Sequence, residues 1–401
     1  MSSDTTAFLD NTRSAIYLDD NECAVINDSL EIFDIENGNL KSKKTETIDW
    51  TAEQAKKGIY PHFLLKEILE QKFTIRQAIM QFENKIKEIA CDINTAFGTY
   101  AVGCGTAGKV CLAGTYFFSE IANKHINFAF GSEFPSYHHF LKDKSLLLVV
   151  SQSGETADTI KAVQTMKQRG GKVISVVNVV GSTIARMSDK FLLANCGPEM
   201  AVCSTKATTA QLAILILLAY ATAGKYDEGQ ELLKKTADAV TKMVNEEFNR
   251  KIKSLAVKIK SWESMYVIAR GVNYPIALES AIKIQEVSYV HAEGFAGGEL
   301  KHGPIALISK GTPCIVFAAN DSVKKEILSN AMEVKSRGGF IIGVSPQNNE
   351  IFDVHIKVPD AGIASPIVNI IPIQLLAYYL AVEKGFDPDK PRNLAKSVTV
   401  T

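Results

Sequence analysis

An internal repeat constrains the fold of this chain more than any other feature of its sequence. Three pairs of similar segments are each separated by 168 residues (335 − 167 for the first pair): 167–171 and 335–339, 101–105 and 269–273, and 146–150 and 314–318. Matches at several places in one register are hard to obtain by chance. The sequence therefore predicts two tandem copies of one fold.

Each copy alternates short apolar segments with helical patterns. An apolar strand leads into a glycine loop and a helix, a second strand and a helix ending in Arg-Gly-Gly follow, and a third strand comes next. Runs rich in Val and Ile between helices are typical of a parallel sheet covered by helices on both faces. We therefore predict an α/β protein with two tandem doubly wound parallel-sheet domains and an irregular C-terminal tail.

The pattern changes at several points along the 401 residues, and these changes set the predicted boundaries. The segment between the copies is rich in Lys and Glu, which indicates a solvated helical connection, whereas the end of the chain has no helical period. The predicted parts are a leader (1–74), a first domain (75–230), a connecting helical segment (231–262), a second domain (263–385) and a tail (386–401).

Composition limits the partners and the compartment. Lys plus Arg and Asp plus Glu both number 44, and this zero net charge disfavours binding to nucleic acid or to an anionic membrane. The seven cysteines are odd in number and form no C-x-x-C, so we expect reduced thiols in a cytoplasmic protein without a metal site. No signal peptide is recognisable. The longest apolar runs, 212–223 and 375–382, are shorter than the ~20 residues that span a bilayer.

A cluster of hydroxyl side chains follows an apolar strand of the first copy. Ser151, Ser153 and Thr156, with a glycine between them, precede a helical pattern, and free backbone N–H groups at a helix N-terminus bind anions such as phosphate. Simple N-capping by Ser153 is the alternative, but it would account for one serine only. The second copy lacks these hydroxyls at 319–324, so we predict one phosphate site per chain.

The Rossmann glycine pattern is absent, which disfavours NAD, and we expect no cofactor.

Three charged residues of the second copy share one face of a predicted helix. Glu279, Lys283 and Glu286 are spaced at i, i+4 and i+7. By spacing alone, a solvated row of salt bridges is the favoured interpretation. The loop 291–304 that follows carries two His, two Glu, a Lys and four Gly, a content that suits acid–base chemistry on a small molecule. It contains no zinc-protease motif.

The C-terminal tail contains one lysine, Lys396, among small and apolar neighbours. In a partly apolar pocket a lysine can lose its proton and attack a carbonyl carbon as a Schiff-base nucleophile. A mobile chain end with a solvated lysine is an equally good interpretation of this segment, because chain termini are commonly mobile. The adjacent pair His138 and His139 lies in a proline-containing loop, and we predict that both are surface residues.

Four motifs together resemble a known family, from about residue 75 to the end of the chain. They are 151–159 (SQSGETADT), 203–207 (CSTKA), 291–304 (HAEGFAGGELKHGP) and 391–400 (PRNLAKSVTV). These motifs are similar to those of the isomerase half of glutamine–fructose-6-phosphate aminotransferase, a pair of sugar-isomerase (SIS) domains. The resemblance agrees with the repeat and implies a phosphosugar ketose–aldose isomerase that makes glucosamine 6-phosphate from fructose 6-phosphate and ammonia.

The resemblance also implies a role for individual residues. Lys396 would form an imine with the open-chain ketose, Glu286 would move a proton between C1 and C2 with support from Lys283, and His302 of a neighbouring subunit would open the sugar ring, which implies a homodimer. The residues implied to bind the sugar phosphate are Thr106, Ser151, Gln152, Ser153, Thr156, Val202, Ser204 and Ala395.

The chain departs from the family pattern at three places. Its last residue is Thr401 where the family commonly ends in Glu, which we expect to matter little. Ala107 stands where the family usually has Ser, so a phosphate-binding hydroxyl is lost there. The family's glutaminase half uses a cysteine directly after the initial Met, whereas this chain begins Met-Ser-Ser. We therefore expect no glutamine hydrolysis by this chain itself, with ammonia supplied free or by a glutaminase domain. The alternatives are a sugar-phosphate deaminase or deglycase and a phosphosugar-sensing SIS regulator.

Overall fold

The computed structural model of this protein describes residues 1–2, 7–8, 10–48, 50 and 52–400. The remaining positions belong to the predicted leader (3–6, 9, 49 and 51) and to the end of the predicted tail (Thr401), and lie outside the described residues.

The N-terminal part contains small antiparallel sheets and then two helices. Strands β1 to β5 are Ser14–Ala15, Glu22–Ile26, Leu30–Asp34, Leu40–Lys41 and Glu46–Thr47. Strand β1 pairs with β5, and β2, β3 and β4 form a three-stranded sheet. A 3₁₀ turn, Ala52–Ala55, precedes helices α1 (Phe63–Ala78) and α2 (Glu83–Thr95). The predicted boundary between residues 74 and 75 thus falls inside α1.

The first α/β domain is built on a five-stranded parallel sheet. Its strands β6 to β10 are Gly98–Gly103, Asn127–Phe130, Ser145–Val150, Lys172–Val177 and Lys190–Leu193. They lie in the order β10-β9-β8-β6-β7. The helices of this domain are α3 (Gly105–Ala122), α4 (Ala157–Gln168), α5 (Thr183–Met187) and α6 (Lys206–Thr222), with a 3₁₀ helix at Phe134–Phe140.

Two amphipathic helices, α7 (Tyr226–Met243) and α8 (Glu246–Ile259), connect this domain to the second. The second sheet contains β11 to β15: Ser264–Ala269, His291–Ala296, Pro313–Phe317, Phe340–Ser345 and Val354–Lys357. Its helices are α9 (Tyr274–Ser288), α10 (Lys324–Lys335) and α11 (Ser365–Glu383), with 3₁₀ turns at Gly271–Asn273, Leu300–His302, Pro304–Leu307 and Gly362–Ala364.

The two sheets have the same topology, which confirms the predicted repeat. The second sheet has the order β15-β14-β13-β11-β12, the counterpart of the first, and again all pairs are parallel. Strands β9 and β14 begin exactly one repeat apart (340 − 172 = 168). The prediction of two tandem doubly wound parallel-sheet domains is thus confirmed. Each sheet has five strands rather than the three expected. The edge strands were missed because β7, β10 and β15 have only four residues each and, like β12, are only partly buried.

The main core lies where helices of the two domains pack together. Helices α6 and α11 are apolar on all sides and almost wholly buried, and α3 packs against both α6 and α9. The segment Gly362–Glu383 is the one helix in the described chain with the length and hydropathy of a membrane span, but 89% of its apolar window is buried in the protein. A core helix passes the same test of length and hydropathy, so this match is weak evidence for a membrane span.

Candidate active site

The loop between β8 and α4, which we call the hydroxyl loop (residues 151–156), is shaped by a glycine and by its own hydroxyls. The Ser151 hydroxyl accepts the N–H of Gly154 at 3.0 Å, and the Ser153 hydroxyl accepts the N–H of Glu155 at 3.2 Å. Gly154 has φ +70°, and a Cβ there would lie 2.1 Å from the Ser182 hydroxyl, so a larger residue does not fit. Thr156 occupies the N-cap position of α4, but its side chain does not cap the helix.

A cavity of about 230 Å³ opens at the carboxyl ends of the first sheet's strands, beside the hydroxyl loop. The N-termini of α3 and α4 both reach it, because Thr106 and Ala107 line the cavity together with the hydroxyl loop. Helix N-termini carry unsatisfied N–H groups and a partial positive charge. This end of the cavity is therefore suited to a phosphate group. A larger open groove, of about 720 Å³ between α7, α8 and residues 357–359, lies away from these groups.

Helix α9 brings a buried lysine and a carboxylate to the cavity. The Lys283 ammonium lies 2.7 Å from a Glu286 carboxylate oxygen and 3.3 Å from Glu279, and it donates to the Thr106 hydroxyl at 3.1 Å. Lys283 and Glu279 are completely buried, whereas Glu286 is partly exposed to the cavity. The solvated row of salt bridges favoured by spacing alone is therefore wrong, because the first domain covers this face of the helix.

Charge and burial set the ionisation of this group. Burial disfavours the charged form of Lys283, but the surrounding partners, with Glu279 and Glu286 among them, outweigh it and raise the pKa of Lys283. Burial also raises the pKa of the Glu279 carboxyl, and Lys283 offsets only part of that effect. A protonated Lys283 beside Glu286 can orient this carboxylate toward the cavity and stabilise negative charge near it.

The C-terminal tail closes the other side of the cavity. The Lys396 ammonium donates to a Glu199 carboxylate oxygen at 2.9 Å and to the Ala201 carbonyl at 2.7 Å. Burial by itself would raise the pKa of Glu199, but the charge of Lys396 and backbone donors outweigh it and lower this pKa. Glu199 also accepts the N–H groups of Thr205 at 2.8 Å and Ala207 at 3.2 Å.

The tail makes hydrogen bonds to the two domains at several points between Asp389 and Val398, which favours a docked tail over the mobile chain end. The Val398 carbonyl accepts the N–H of Ala157 at 3.1 Å, and the hydroxyls of Ser397 and Ser153 lie 3.2 Å apart. Nearer its start, the Asp389 carboxylate accepts the N–H groups of Phe63 and Leu64 at the beginning of α1. These bonds hold Lys396 over the cavity although residues 386–400 form no helix or strand.

Of the twelve residues to which the family resemblance gives a role, ten line this one cavity. They are Thr106, Ser151, Gln152, Ser153, Thr156, Val202, Ser204, Glu286, Ala395 and Lys396. Lys283 lies directly beneath, bonded to two of them. His302 does not line the cavity: it is exposed at the end of the 3₁₀ turn Leu300–His302. His138 and His139 lie on another 3₁₀ helix, half-buried and exposed respectively.

Several groups at the site were not predicted from the sequence. Cys104 and Gln211 line the cavity, and Glu199 and Glu67 lie behind Lys396. Glu199 could have been found, because it is the one charged residue in the segment 191–205. Glu67 carries no such signal, because it stands in a helix rich in Lys and Glu.

Comparison with known proteins agrees with this arrangement. The SIS domain family matches residues 98–221 and 258–384. The glutamine–fructose-6-phosphate aminotransferase [isomerizing] of Pyrococcus horikoshii is 41% identical over 407 residues, which cover 100% of this chain and 68% of the relative. The enzyme of the same name from Caldanaerobacter subterraneus is 39% identical, over 100% of this chain and 69% of the relative.

A solved structure supports the same relationship. The C-terminal domain of the glucosamine–fructose-6-phosphate aminotransferase from Francisella tularensis superposes with a TM-score of 0.77 at 31% identity, covering 84% of this chain and 100% of that one. The chain therefore belongs to the SIS domain family and, within it, to the family of the isomerizing glutamine–fructose-6-phosphate aminotransferases.

Proposed function

We propose that this chain converts fructose 6-phosphate and ammonia into glucosamine 6-phosphate, as a cytoplasmic homodimer. One observation carries the proposal: Lys396 and Glu286 border a single cavity that ends at the hydroxyl loop. This places a carbonyl-attacking amine and a proton-transferring carboxylate within reach of one phosphorylated ligand. The seven cysteines are all free thiols, as suits a reducing compartment.

The phosphate of the ketose binds at the hydroxyl loop. Ser151, Ser153 and Thr156, the Thr106 hydroxyl and the two helix N-termini supply neutral donors and a partial positive charge. Gln152 adds an amide group, and Val202, Ser204 and Ala395 line the part of the cavity that the sugar carbons enter. Binding at this one anchor orients the sugar so that its carbonyl carbon comes to the tail.

The Lys396 amine then adds to C2 of the open-chain ketose. An ammonium group has no lone pair, so Lys396 first gives its proton to a base, and the Glu199 carboxylate at 2.9 Å is in position to take it. The carbinolamine that forms loses its hydroxyl group as water and becomes an imine. Ammonia replaces the lysine nitrogen at C2 and so supplies the amino group of the product.

Glu286 moves a proton from C1 to C2. Its carboxylate faces the cavity and is held from behind by the Lys283 ammonium at 2.7 Å, which fixes its orientation. Lys283 is in turn fixed by Glu279 and the Thr106 hydroxyl. The proton moves on one face of the sugar, and the ketose skeleton becomes an aldose.

His302 opens the sugar ring from the neighbouring subunit. Within one chain it is exposed and borders no part of the cavity, so the site needs a second copy to place an imidazole there. The two-fold symmetry common to homodimers would give each cavity one partner histidine.

Mixed dimers test this arrangement. Lys396→Ala and His302→Ala homodimers are each expected to be inactive, but a mixture of the two chains regains about one quarter of wild-type activity, because half of the dimers are mixed and each has one intact site. Activity is measured after the two variants are refolded together. If the mixture stays inactive while mixed dimers are shown to form, each site draws both residues from one chain.

An assay of product formation tests the proposed function. Purified protein should interconvert fructose 6-phosphate and glucose 6-phosphate and, with ammonium present, form glucosamine 6-phosphate without glutamine. If the protein releases ammonia from glucosamine 6-phosphate faster than it forms glucosamine 6-phosphate under all conditions, it is instead a deaminase. Saturable binding of the sugar phosphate without any turnover would indicate a sensing regulator.

A further inference from the structure

A buried carboxyl group behind Lys396 has no part in the steps above. Glu67 of α1 is 1% exposed, and one of its oxygens accepts the N–H groups of Met200 and Ala201. Its other oxygen is also buried and has no hydrogen-bond partner among the described residues. The carbonyl of Ala201 accepts from Lys396, so Glu67 supports the same turn that holds the lysine.

The two ammonium groups that act most strongly on Glu67, Lys206 and Lys396, are each already paired with another carboxylate. Lys206 lies 2.7 Å from Glu70, which also pairs with Lys66 at 3.6 Å, and Lys396 lies 2.9 Å from Glu199. An ionised Glu67 would therefore be a buried carboxylate without an ammonium partner of its own, which is costly. In agreement, burial and then the neighbouring Glu199 carboxylate raise the pKa of Glu67 to about 8.

We propose that Glu67 is a positioning residue for the imine step. In its uncharged form it supports the turn 199–201 and lets Lys396 leave its ion pair with Glu199. In its ionised form it holds the Lys396 ammonium in that ion pair. This inference rests on the proposed function. When Glu67 is uncharged, only the Glu199 carboxylate attracts the Lys396 ammonium, and when Glu67 is ionised both carboxylates attract it. The charge on Glu67 thus stabilises the Lys396–Glu199 ion pair relative to the state in which the Lys396 amine lies at the ketose carbon.

The proton balance of the step is closed without Glu67. Lys396 passes one proton to Glu199, the neutral amine adds to C2, and the proton on Glu199 goes to the departing hydroxyl, which leaves as water. A protonated imine and the Glu199 carboxylate remain, so the local charge is again balanced. Glu67 thus acts through Lys396 and does not touch the sugar.

The groups that face Glu67 come from each element around it. The segment before α6 contributes Glu199 and the Cys196 thiol, and burial keeps this thiol neutral by raising its pKa. Helix α6 contributes Lys206, and the tail contributes Lys396. From its own helix, Glu70 lies about one turn further on, paired with Lys206 at 2.7 Å and with Lys66 at 3.6 Å. Helices α7 and α11 also pack on α1: the α7 carboxylate Asp238 pairs with Arg76 at the exposed surface, and Gln71 bonds the neutral amide of Gln374 on α11.

The variant Glu67→Gln tests the proposal, because an amide keeps the acceptor oxygen but cannot ionise. In the wild-type protein, kcat for glucosamine 6-phosphate formation at saturating ammonia should fall by about tenfold or more as the pH rises through 8, the scale on which one neighbouring charge acts on a proton equilibrium. In Glu67→Gln this alkaline decrease should be absent, with kcat near neutral pH close to wild type. Glu88→Gln, which removes a surface carboxylate from α2, should keep the decrease.

Thermal unfolding supplies a second readout that does not need activity. A carboxyl group whose pKa in the folded protein exceeds its unfolded value of about 4.3 binds more protons in the folded state than in the unfolded state. The free energy of unfolding therefore falls as the pH rises from the unfolded pKa to the folded pKa. The gain in Tm of Glu67→Gln over wild type should therefore grow from pH 5 to pH 8. A constant Tm difference would show that Glu67 is ionised throughout. If the alkaline decrease in kcat persists in Glu67→Gln, Glu67 does not act on Lys396. An inactive wild-type protein would overturn the proposed function and, with it, this role of Glu67.

Discussion

Replacing Lys396 by alanine is expected to lower kcat for the formation of glucosamine 6-phosphate from fructose 6-phosphate and ammonium by roughly 10⁴-fold or more, the scale seen when one member of a covalent catalytic set is removed. The amine would be the only group at the cavity that forms a bond to the sugar, so its loss removes the imine route rather than weakening it. The tail remains attached through bonds that do not involve Lys396, from Val398 to Ala157 and from Asp389 to α1. Sugar-phosphate binding, measured by calorimetry, should therefore change little.

Lys390→Ala is the matched control for this variant. Lys390 is an exposed lysine of the same tail, six residues earlier (396 − 390), so it tests the loss of a tail charge without loss of the amine at the cavity. We expect activity near wild type. Equal turnover by Lys396→Ala and Lys390→Ala would contradict any covalent role of the tail.

Replacing Glu286 by glutamine is expected to lower kcat by about 10²- to 10⁴-fold, the range in which positioned general bases contribute. The amide has nearly the same shape and can still accept from Lys283, but it cannot carry the proton from C1 to C2. Imine formation at Lys396 should persist, because Lys396 and Glu199 are untouched. A rapid-quench measurement of the imine together with steady-state kcat separates the two steps.

Glu293→Gln is the control for the loss of a carboxylate from this region. Glu293 lies on β12, where it pairs with His291 away from the cavity. We expect kcat within about twofold of wild type for this surface change, consistent with an effect within ~0.5 kcal/mol. If Glu286→Gln turned over as fast as Glu293→Gln, another group would have to move the proton.

The repeat in the sequence was enough to predict the two-domain architecture, because buried parallel strands such as β8 and β13 are continuous apolar runs. The edge strands could not be predicted in this way. Strand β7 is four residues long and ends in an exposed Phe130, so it carries neither a continuous apolar run nor a clear alternation.

The site was predictable where residues stand in recognisable motifs and not where they act through tertiary contacts. The sequence identified the hydroxyl loop, because its hydroxyls follow a strand and precede a helix. It could not show that Lys283 is buried, because the spacing of charges along α9 also fits a solvated face. Glu67 is separated from Glu199 by 132 residues (199 − 67), and only folding makes the two carboxyl groups neighbours.

Borohydride reduction in the presence of fructose 6-phosphate can trap the imine proposed at Lys396 as a stable amine. If Lys396 forms an imine with the ketose, reduction should attach one hexose phosphate covalently per chain, and peptide mass analysis should locate it on Lys396. Adduct formation should disappear in Lys396→Ala and persist in Glu286→Gln. Full formation of glucosamine 6-phosphate from fructose 6-phosphate and ammonium with no adduct, or an adduct on a different lysine, would show that Lys396 does not form the imine.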